Sequence, residues 1–285
     1  MIGIPLALAA FLTGRFQLTW RLVWIGAGTF VGSQLLHIPA NVLIGRLFAT
    51  GVLPNPMPDW QLLVSAAIGG LSAGLFEEVA RYAAFRWWAR EARSWRQAVL
   101  LGCGHGGAES VILGILTLYS LFSLFTYRGV DLTPWVPAEQ LHAAQQQVDA
   151  YWSMPWSMSL LGAVERGLTI PIQIGFSVLV YQVFARRRLY WLAIAVLWHA
   201  AIDGVIAIYL GRLWIDRYPC GVYAVEAVLA LATVASLALI FRLRSAEPSA
   251  TAAALSSPLA MLAPPASPML ETVERLEDSR YHDPD

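Results

Sequence analysis

The sequence predicts an all-α fold: a polytopic transmembrane helix bundle with about seven spans, followed by a disordered C-terminal tail. Of the 285 residues, 57% are hydrophobic and only 13% are charged, about half the charged share of a soluble domain. The mean hydropathy is +0.56. Apolar stretches of roughly 20 residues, the length that crosses a bilayer, recur as far as residue 242. The lipid bilayer is therefore the first partner that the sequence predicts.

Seven apolar stretches define the predicted spans. They are residues 1–13, 19–48, 61–86, 97–126, 157–185, 189–210 and 219–242. The first is short, but it lacks both the basic start and the cleavage site of a signal peptide, so we interpret it as a shortened helix. The second is interrupted by Pro39. The connection 127–156 carries three tryptophans, which predicts either an interfacial helix or a loop with aromatic anchors.

The arginines orient these spans. All nineteen basic residues are Arg, and the clusters fall at alternate connections, which are predicted to be cytoplasmic. The N-terminus is then outside the cell membrane and the C-terminus inside. The net charge of zero predicts no nucleic-acid partner. Residues 245–285, rich in Ala, Ser and Pro and acidic at the end, predict a disordered cytoplasmic tail outside a domain formed by residues 1–244.

Ionisable residues within three predicted spans lie at one depth. Each of Glu77, His105 and His199 is nine to eleven residues from an arginine at the predicted cytoplasmic end of its span. This places all three roughly 13 to 17 Å from that end by helical rise. An ionisable group in a bilayer costs several kcal/mol, so scattered residues have no reason to share a depth. Residues that line a single polar cavity, in contrast, must lie at a common depth.

Helical spacing pairs each histidine with a carboxylate. His105 and Glu109 are four residues apart, as are His199 and Asp203, so each pair shares a helix face. A carboxylate one turn away can orient an imidazole. Glycines surround His105 at positions 102, 104, 106 and 107, which favours close approach of a neighbouring helix and its carboxylate.

The third predicted span contains two adjacent carboxylates and one arginine. Glu77 and Glu78 point about 100° apart, and Arg81 can pair with one while the other faces the cavity. Glu165 lies near the outer surface and is predicted either to stand at the site entrance or to pair with Arg166. A structural ion-pair cluster is the alternative interpretation of the acidic pair.

A buried carboxylate near two imidazoles can act in two ways. Glu77 can be a general base for water, with His105 and His199 stabilising the oxyanion and protonating the leaving amine. The same three residues can instead bind zinc, although no His-Glu-x-x-His motif is present. A third possibility is a proton-coupled carrier that uses these groups as a relay, but no internal repeat supports it.

The motifs resemble the YhfC family of membrane peptidases, which is related to the CAAX prenyl protease and bacteriocin-processing group of intramembrane proteases. The residues that carry the resemblance are Glu77, Glu78, Arg81, His105, Glu109, His199 and Asp203. Two residues separate the glutamate pair from its arginine, as in the YhfC pattern, whereas the wider group usually has three. The resemblance implies that Glu77 activates water, that His105 and His199 assist, and that Asp203 follows the last histidine by one turn.

We therefore predict a transmembrane peptidase-like domain over residues 1–244 that cleaves membrane-embedded or membrane-tethered proteins or peptides. The main interpretation is a glutamic-type intramembrane protease without a cofactor; the alternatives are a zinc metalloprotease and a carrier. The catalytic set is Glu77, Glu78, His105 and His199, and the supporting set is Arg81, Glu109, Asp203 and Glu165. His37, just before Pro39, predicts a packed helix kink in preference to a break that faces a cavity.

Overall fold

The computed structural model describes residues 1–244, and every regular element in that range is a helix. The predicted tail, residues 245–285, lies outside the described residues. The helices are α1 (Gly3–Phe16), α2 (Arg21–Ala49), α3 (Pro58–Ala83), α4 (Trp95–Thr126), α5 (Ala138–Ser153), α6 (Trp156–Arg186), α7 (Tyr190–Ala200), α8 (Gly211–Ile215) and α9 (Gly221–Arg242). The predicted all-α class is confirmed.

Each predicted span coincides with a helix. Five helical stretches among the described residues are long and apolar enough to cross a membrane, namely Pro58–Trp88, Trp95–Thr126, Leu160–Arg186, Tyr190–Ile215 and Gly221–Arg242. The short apolar helix α1 and the 29-residue α2 complete the seven predicted stretches. Residues 138–153 form the helix α5, so of the two structures expected for this connection the helix is present.

Helices α3 and α4 lie at the centre of the bundle. Helix α3 packs against α2 and α7, and α4 packs against α1, α2 and α6. The approach of α2 to α4 depends on glycine, because a Cβ at Gly104 would lie only 2.2 Å from the carbonyl oxygen of Val23. These contacts bring the polar positions of separate helices together in one interior region.

A capping box fixes the start of α4. The Ser94 side chain accepts a hydrogen bond from the backbone N–H of Gln97, and the Gln97 side chain accepts one from the backbone N–H of Ser94. The next residue, Trp95, donates its indole N–H to the carbonyl oxygen of Ile240 at 2.8 Å. The cap and this tie to α9 set the position of His105 three turns further along the helix.

Two helices widen into π-helical segments that hydropathy does not indicate. Helix α3 continues through Ala84–Trp88, and α7 continues through Ala201–Leu210 before reaching α8. The π geometry adds one residue to each hydrogen-bonded ring and often occurs at functional sites. The second segment carries Asp203, directly beyond His199.

Candidate active site

The two adjacent carboxylates of α3 differ in their nearest partners. Glu78 and Arg81 are fully buried and Glu77 is 5% exposed. Arg81 Nη1 donates to Glu78 Oε1, whereas Arg81 Nη2 lies 3.8 Å from Glu77 Oε2. Helical rotation thus aims the adjacent carboxylates at different neighbours. Glu78 is held in the ion pair, and Glu77 reaches across to α4.

Glu77 Oε2 is the atom at which three helices meet. It lies 3.0 Å from His105 Nε2 on α4 and 3.9 Å from His199 Nε2 on α7. Both histidines are almost completely buried. The common depth expected from the sequence thus corresponds to direct proximity of these three side chains.

The other ring nitrogen of His199 has a defined partner. His199 Nδ1 donates to Glu78 Oε1 at 2.6 Å, which leaves the lone pair of Nε2 for other contacts when the ring is neutral. Nε2 then faces Glu77 Oε2 at 3.9 Å and Asp203 Oδ2 at 3.4 Å. A proton or a metal ion bound among these three acceptors would offset their mutual repulsion.

Aromatic rings enclose both imidazoles. Phe176 of α6 stacks on His199 with a centroid separation of 4.3 Å and an interplanar angle of 10°. Phe30 of α2 meets His105 edge-on at 5.3 Å. The rings hold the imidazoles in place and exclude water from those faces, which strengthens the electrostatic interactions inside the site.

Glu109 is directed toward α6 and away from His105, the ring that spacing pairs it with. Its Oε1 accepts from Arg166 Nη1 at 2.7 Å, and its Oε2 accepts from Gln173 Nε2 at 2.7 Å. Gln173 Oε1 in turn accepts from Arg81. Partners on a neighbouring helix thus prevail over the one-turn neighbour, because they provide a cation and a donor for the buried carboxylate.

A cavity of about 260 Å³ lies beside this network. Glu109, Glu165, Arg166, Gln173 and Asp203 line it together with apolar residues of α6, α9 and the π segment after α7. Glu165 also pairs with Arg166, so the ion pair that the sequence offered as one alternative is present. The Asp203 side chain is 42% exposed, whereas that of His199 is 1% exposed. Asp203 is therefore the point where the buried cluster meets accessible space.

Two glutamines that the sequence analysis missed contact the predicted residues. Gln173 joins Arg81 to Glu109, and Gln34 of α2 donates from Nε2 to Glu77 Oε1 at 3.0 Å. Each is an uncharged polar residue within a long apolar helix, and this feature of the sequence could have identified it as a candidate. Amides cost less than charges in a bilayer, so they draw less notice in a search for ionisable groups.

The donor set is suited to zinc. Catalytic zinc commonly uses three protein ligands such as two His and a Glu, and tetrahedral ligand atoms at those bond lengths lie about 3.3 Å apart. Glu77 Oε2 lies 3.0 Å from His105 Nε2 and 3.9 Å from His199 Nε2, and these two separations bracket that value. Among the described residues no group of three or more His, Cys, Asp and Glu side chains is arranged so that it could hold a metal ion. The donor types present, two imidazoles and a carboxylate, are nevertheless those that catalytic zinc sites use.

The chain matches known proteins over most of its length. Residues 1–229 match the family described as YhfC intramembrane metalloprotease. A protein of Bacillus subtilis (strain 168), described as uncharacterized membrane protein YhfC, is 28% identical over 212 residues. These residues cover 72% of this chain and 80% of that protein. No solved structure matches the chain.

The family description overturns the expectation that no cofactor is needed. The main interpretation of the sequence was a glutamic-type protease without a cofactor, and the absence of a cofactor is wrong because a metalloprotease depends on a bound metal. The absence of a His-Glu-x-x-His motif weighed against zinc, although zinc ligands can also come from separate helices that share no local motif. The multi-pass membrane character and the resemblance are both confirmed. The chain belongs to the YhfC family of intramembrane metalloproteases.

Proposed function

We propose that this chain is a zinc-dependent endopeptidase that hydrolyses peptide bonds of membrane-embedded or membrane-tethered proteins. His105 Nε2, His199 Nε2 and Glu77 Oε2 would hold the ion. The observation that carries the proposal is the convergence of these three atoms from α4, α7 and α3 in a buried cluster. The family description favours hydrolysis over the carrier alternative.

Glu78 and Arg81 would support the proposed ligand His199 on the side of its ring away from the ion. Glu78 accepts the Nδ1 hydrogen of His199 and so presents the Nε2 lone pair to the site. A carboxylate in this position commonly fixes the tautomer of a metal-binding histidine and raises its basicity. Arg81 neutralises Glu78, which is otherwise a buried uncompensated charge. Glu109 and Gln173 continue this support toward α6.

Asp203 is the residue placed to move the proton. A bound zinc ion would polarise the peptide carbonyl and increase the acidity of the attacking water. Asp203 Oδ2 accepts a proton as the water oxygen attacks the carbonyl carbon. The same proton would then pass to the peptide nitrogen as the carbon–nitrogen bond breaks, which gives an amine and a carboxylic acid, and the acid then transfers its proton to the amine. Its exposure to the cavity supports this role over the orienting role inferred from spacing.

We further infer the orientation in the cell membrane from the arginine distribution: N-terminus outside and C-terminus cytoplasmic. In this orientation the cavity opens toward the outer half of the bilayer, because α6 begins and α8 ends on that side. A substrate chain would then reach Asp203 from that side.

The decisive experiment replaces the residue at which the three helices meet. Glu77→Gln should abolish cleavage of a membrane-tethered reporter and lower the zinc content of the purified protein, while its abundance in the membrane stays unchanged. The matched control is Glu91→Gln, because Glu91 is half exposed and pairs with Arg21 away from the site. A Glu77→Gln protein that cleaves and binds zinc like the parent would overturn the proposal.

A further inference from the structure

Three polar residues of α2 form a hydrogen-bonded row that ends on Glu77. Gln34, His37 and Asn41 are spaced by three and four residues, so they share one helix face. Asn41 Nδ2 lies 2.9 Å from His37 Nε2, and His37 Nδ1 lies 3.3 Å from Gln34 Oε1. Gln34 Nε2 donates to Glu77 Oε1 at 3.0 Å. From the sequence alone, His37 is predicted to lie at a packed helix kink.

The contacts of His37 give the row one direction. Ser72 Oγ also lies 3.2 Å from His37 Nε2, but its hydrogen is donated to the Gly69 carbonyl oxygen. Gln34 Oε1 can only accept, so His37 Nδ1 carries the hydrogen, and in the neutral ring His37 Nε2 accepts from Asn41 Nδ2. His37 Nδ1 then donates to Gln34 Oε1, and Gln34 donates onward. Each donor in the row points toward the Glu77 carboxylate, an arrangement in which the bonds strengthen one another.

The hydrogen bond from Gln34 to Glu77 matters because Arg81 is a competing partner for the same carboxylate. The terminal torsion of a glutamate side chain has a broad profile, so the carboxylate turns easily unless it is held. Arg81 Nη2 lies only 3.8 Å from Glu77 Oε2. Without a donor on Oε1, the carboxylate can turn toward this cation and away from His105 and His199.

We propose that Gln34 is a positioning residue that holds Glu77 Oε1 so that Oε2 faces the two histidines, and that His37 keeps the Gln34 amide in the donating orientation. The inference rests on the proposed function, since it concerns how the glutamate of that site is held. It assigns to α2 a role that α3, α4 and α7 cannot fill, because the other oxygen of Glu77 faces them.

The first test separates the carboxylate anchor from ordinary packing. Gln34→Leu keeps the volume but removes the amide, and it should lower zinc affinity about 10- to 100-fold. The affinity is measured by competition with a chromophoric chelator, which does not depend on turnover. The kcat for the tethered reporter should fall with it, while KM stays within about twofold. Unchanged zinc affinity and kcat would overturn the role of Gln34.

The second test uses two amides that each mimic one side of an imidazole. Asn at position 37 places its amide nitrogen near the position of Nδ1, whereas Gln reaches the position of Nε2. His37→Asn should therefore retain zinc affinity and kcat, and His37→Gln should lose both like Gln34→Leu. A purely structural role predicts the reverse, because Gln keeps the contacts with Asn41 and Ser72. Equal behaviour of the two variants would overturn the role of His37.

Parallel measurements separate this inference from the proposed function. Ser72→Ala is the neighbouring control, and its zinc affinity should stay within about twofold of the parent. Glu77→Gln is assayed beside it. If Glu77→Gln loses zinc and activity while Gln34→Leu keeps both, only the positioning role fails. If Glu77→Gln keeps both, the proposed function itself fails.

Discussion

Asp203 differs from the other carboxylates of the site in its surroundings. Glu77 and Glu78 are enclosed by protein, whereas the side chain of Asp203 is 42% exposed and lines the cavity. A group that exchanges protons with water and substrate needs that access, and a group that only holds a ligand does not. The exposure therefore distinguishes the proposed proton acceptor from the proposed ligands.

This difference leads to a prediction at position 203. Asp203→Asn should lower kcat by about 10²- to 10⁴-fold, the usual contribution of a general base, and leave the zinc content of the purified protein unchanged. Reporter cleavage and elemental analysis on the same preparation measure the two effects. Asp216→Asn, at an exposed position beyond α8, is the matched control. Loss of zinc together with activity would instead make Asp203 a ligand.

At the scale of elements, the site depends on how closely the helices approach. Gly26 of α2 faces the backbone nitrogen of His105, at 2.8 Å from an ideal Cβ, and Gly70 of α3 faces Gly204 of the π segment. Small residues at these contacts let the backbones meet directly, since apolar burial gives no driving force between helices in lipid. Packing through glycine thus brings the carboxylate of one helix to the imidazole of the next.

The contact between α2 and α4 can be tested with one methyl group. Gly104→Ala places a Cβ 2.2 Å from the carbonyl oxygen of Val23, so the helices must separate, at a cost of about 1–3 kcal/mol in stability. Thermal unfolding in detergent measures the loss. In Gly28→Ala the new Cβ meets nothing within 4 Å, so this control should be neutral or more stable by up to about 1 kcal/mol. Equal stability of the two variants would contradict the role of this contact.

At the scale of the whole molecule, the two cysteines report on the inferred orientation. Cys103 is buried within α4, and Cys220 is exposed between α8 and α9. With the N-terminus outside, six spans place Cys220 on the outer face. The natural sequence thus contains one accessible thiol on the face toward which the cavity is inferred to open.

Labelling of intact cells tests this orientation. A membrane-impermeant maleimide added outside should modify the parent protein and fail to modify Cys220→Ser, because the remaining thiol of Cys103 is buried. Mass analysis of the purified protein measures the modification. Labelling that appears only after the cells are permeabilised would place the connection between α8 and α9 in the cytoplasm and reverse the inferred topology.

The sequence by itself determined that the chain lies in a membrane, where its apolar spans are, and that three candidate site residues share one depth. Hydropathy and helical rise are local, additive properties, so they located Glu77, His105 and His199 at one level without any tertiary information. Spacing also paired His199 with Asp203, which the structure places 3.4 Å apart between Nε2 and Oδ2.

Only the tertiary structure decided which partner each side chain takes. Spacing paired Glu109 with His105, yet its oxygens bind Arg166 and Gln173 on α6. The spans are apolar on most sides, so their sequences do not state how each helix is rotated about its axis. The rotation of each helix and its distance from its neighbours decide which side chains meet. They direct Glu109 toward α6, and they bring Gln34 of α2 to Glu77.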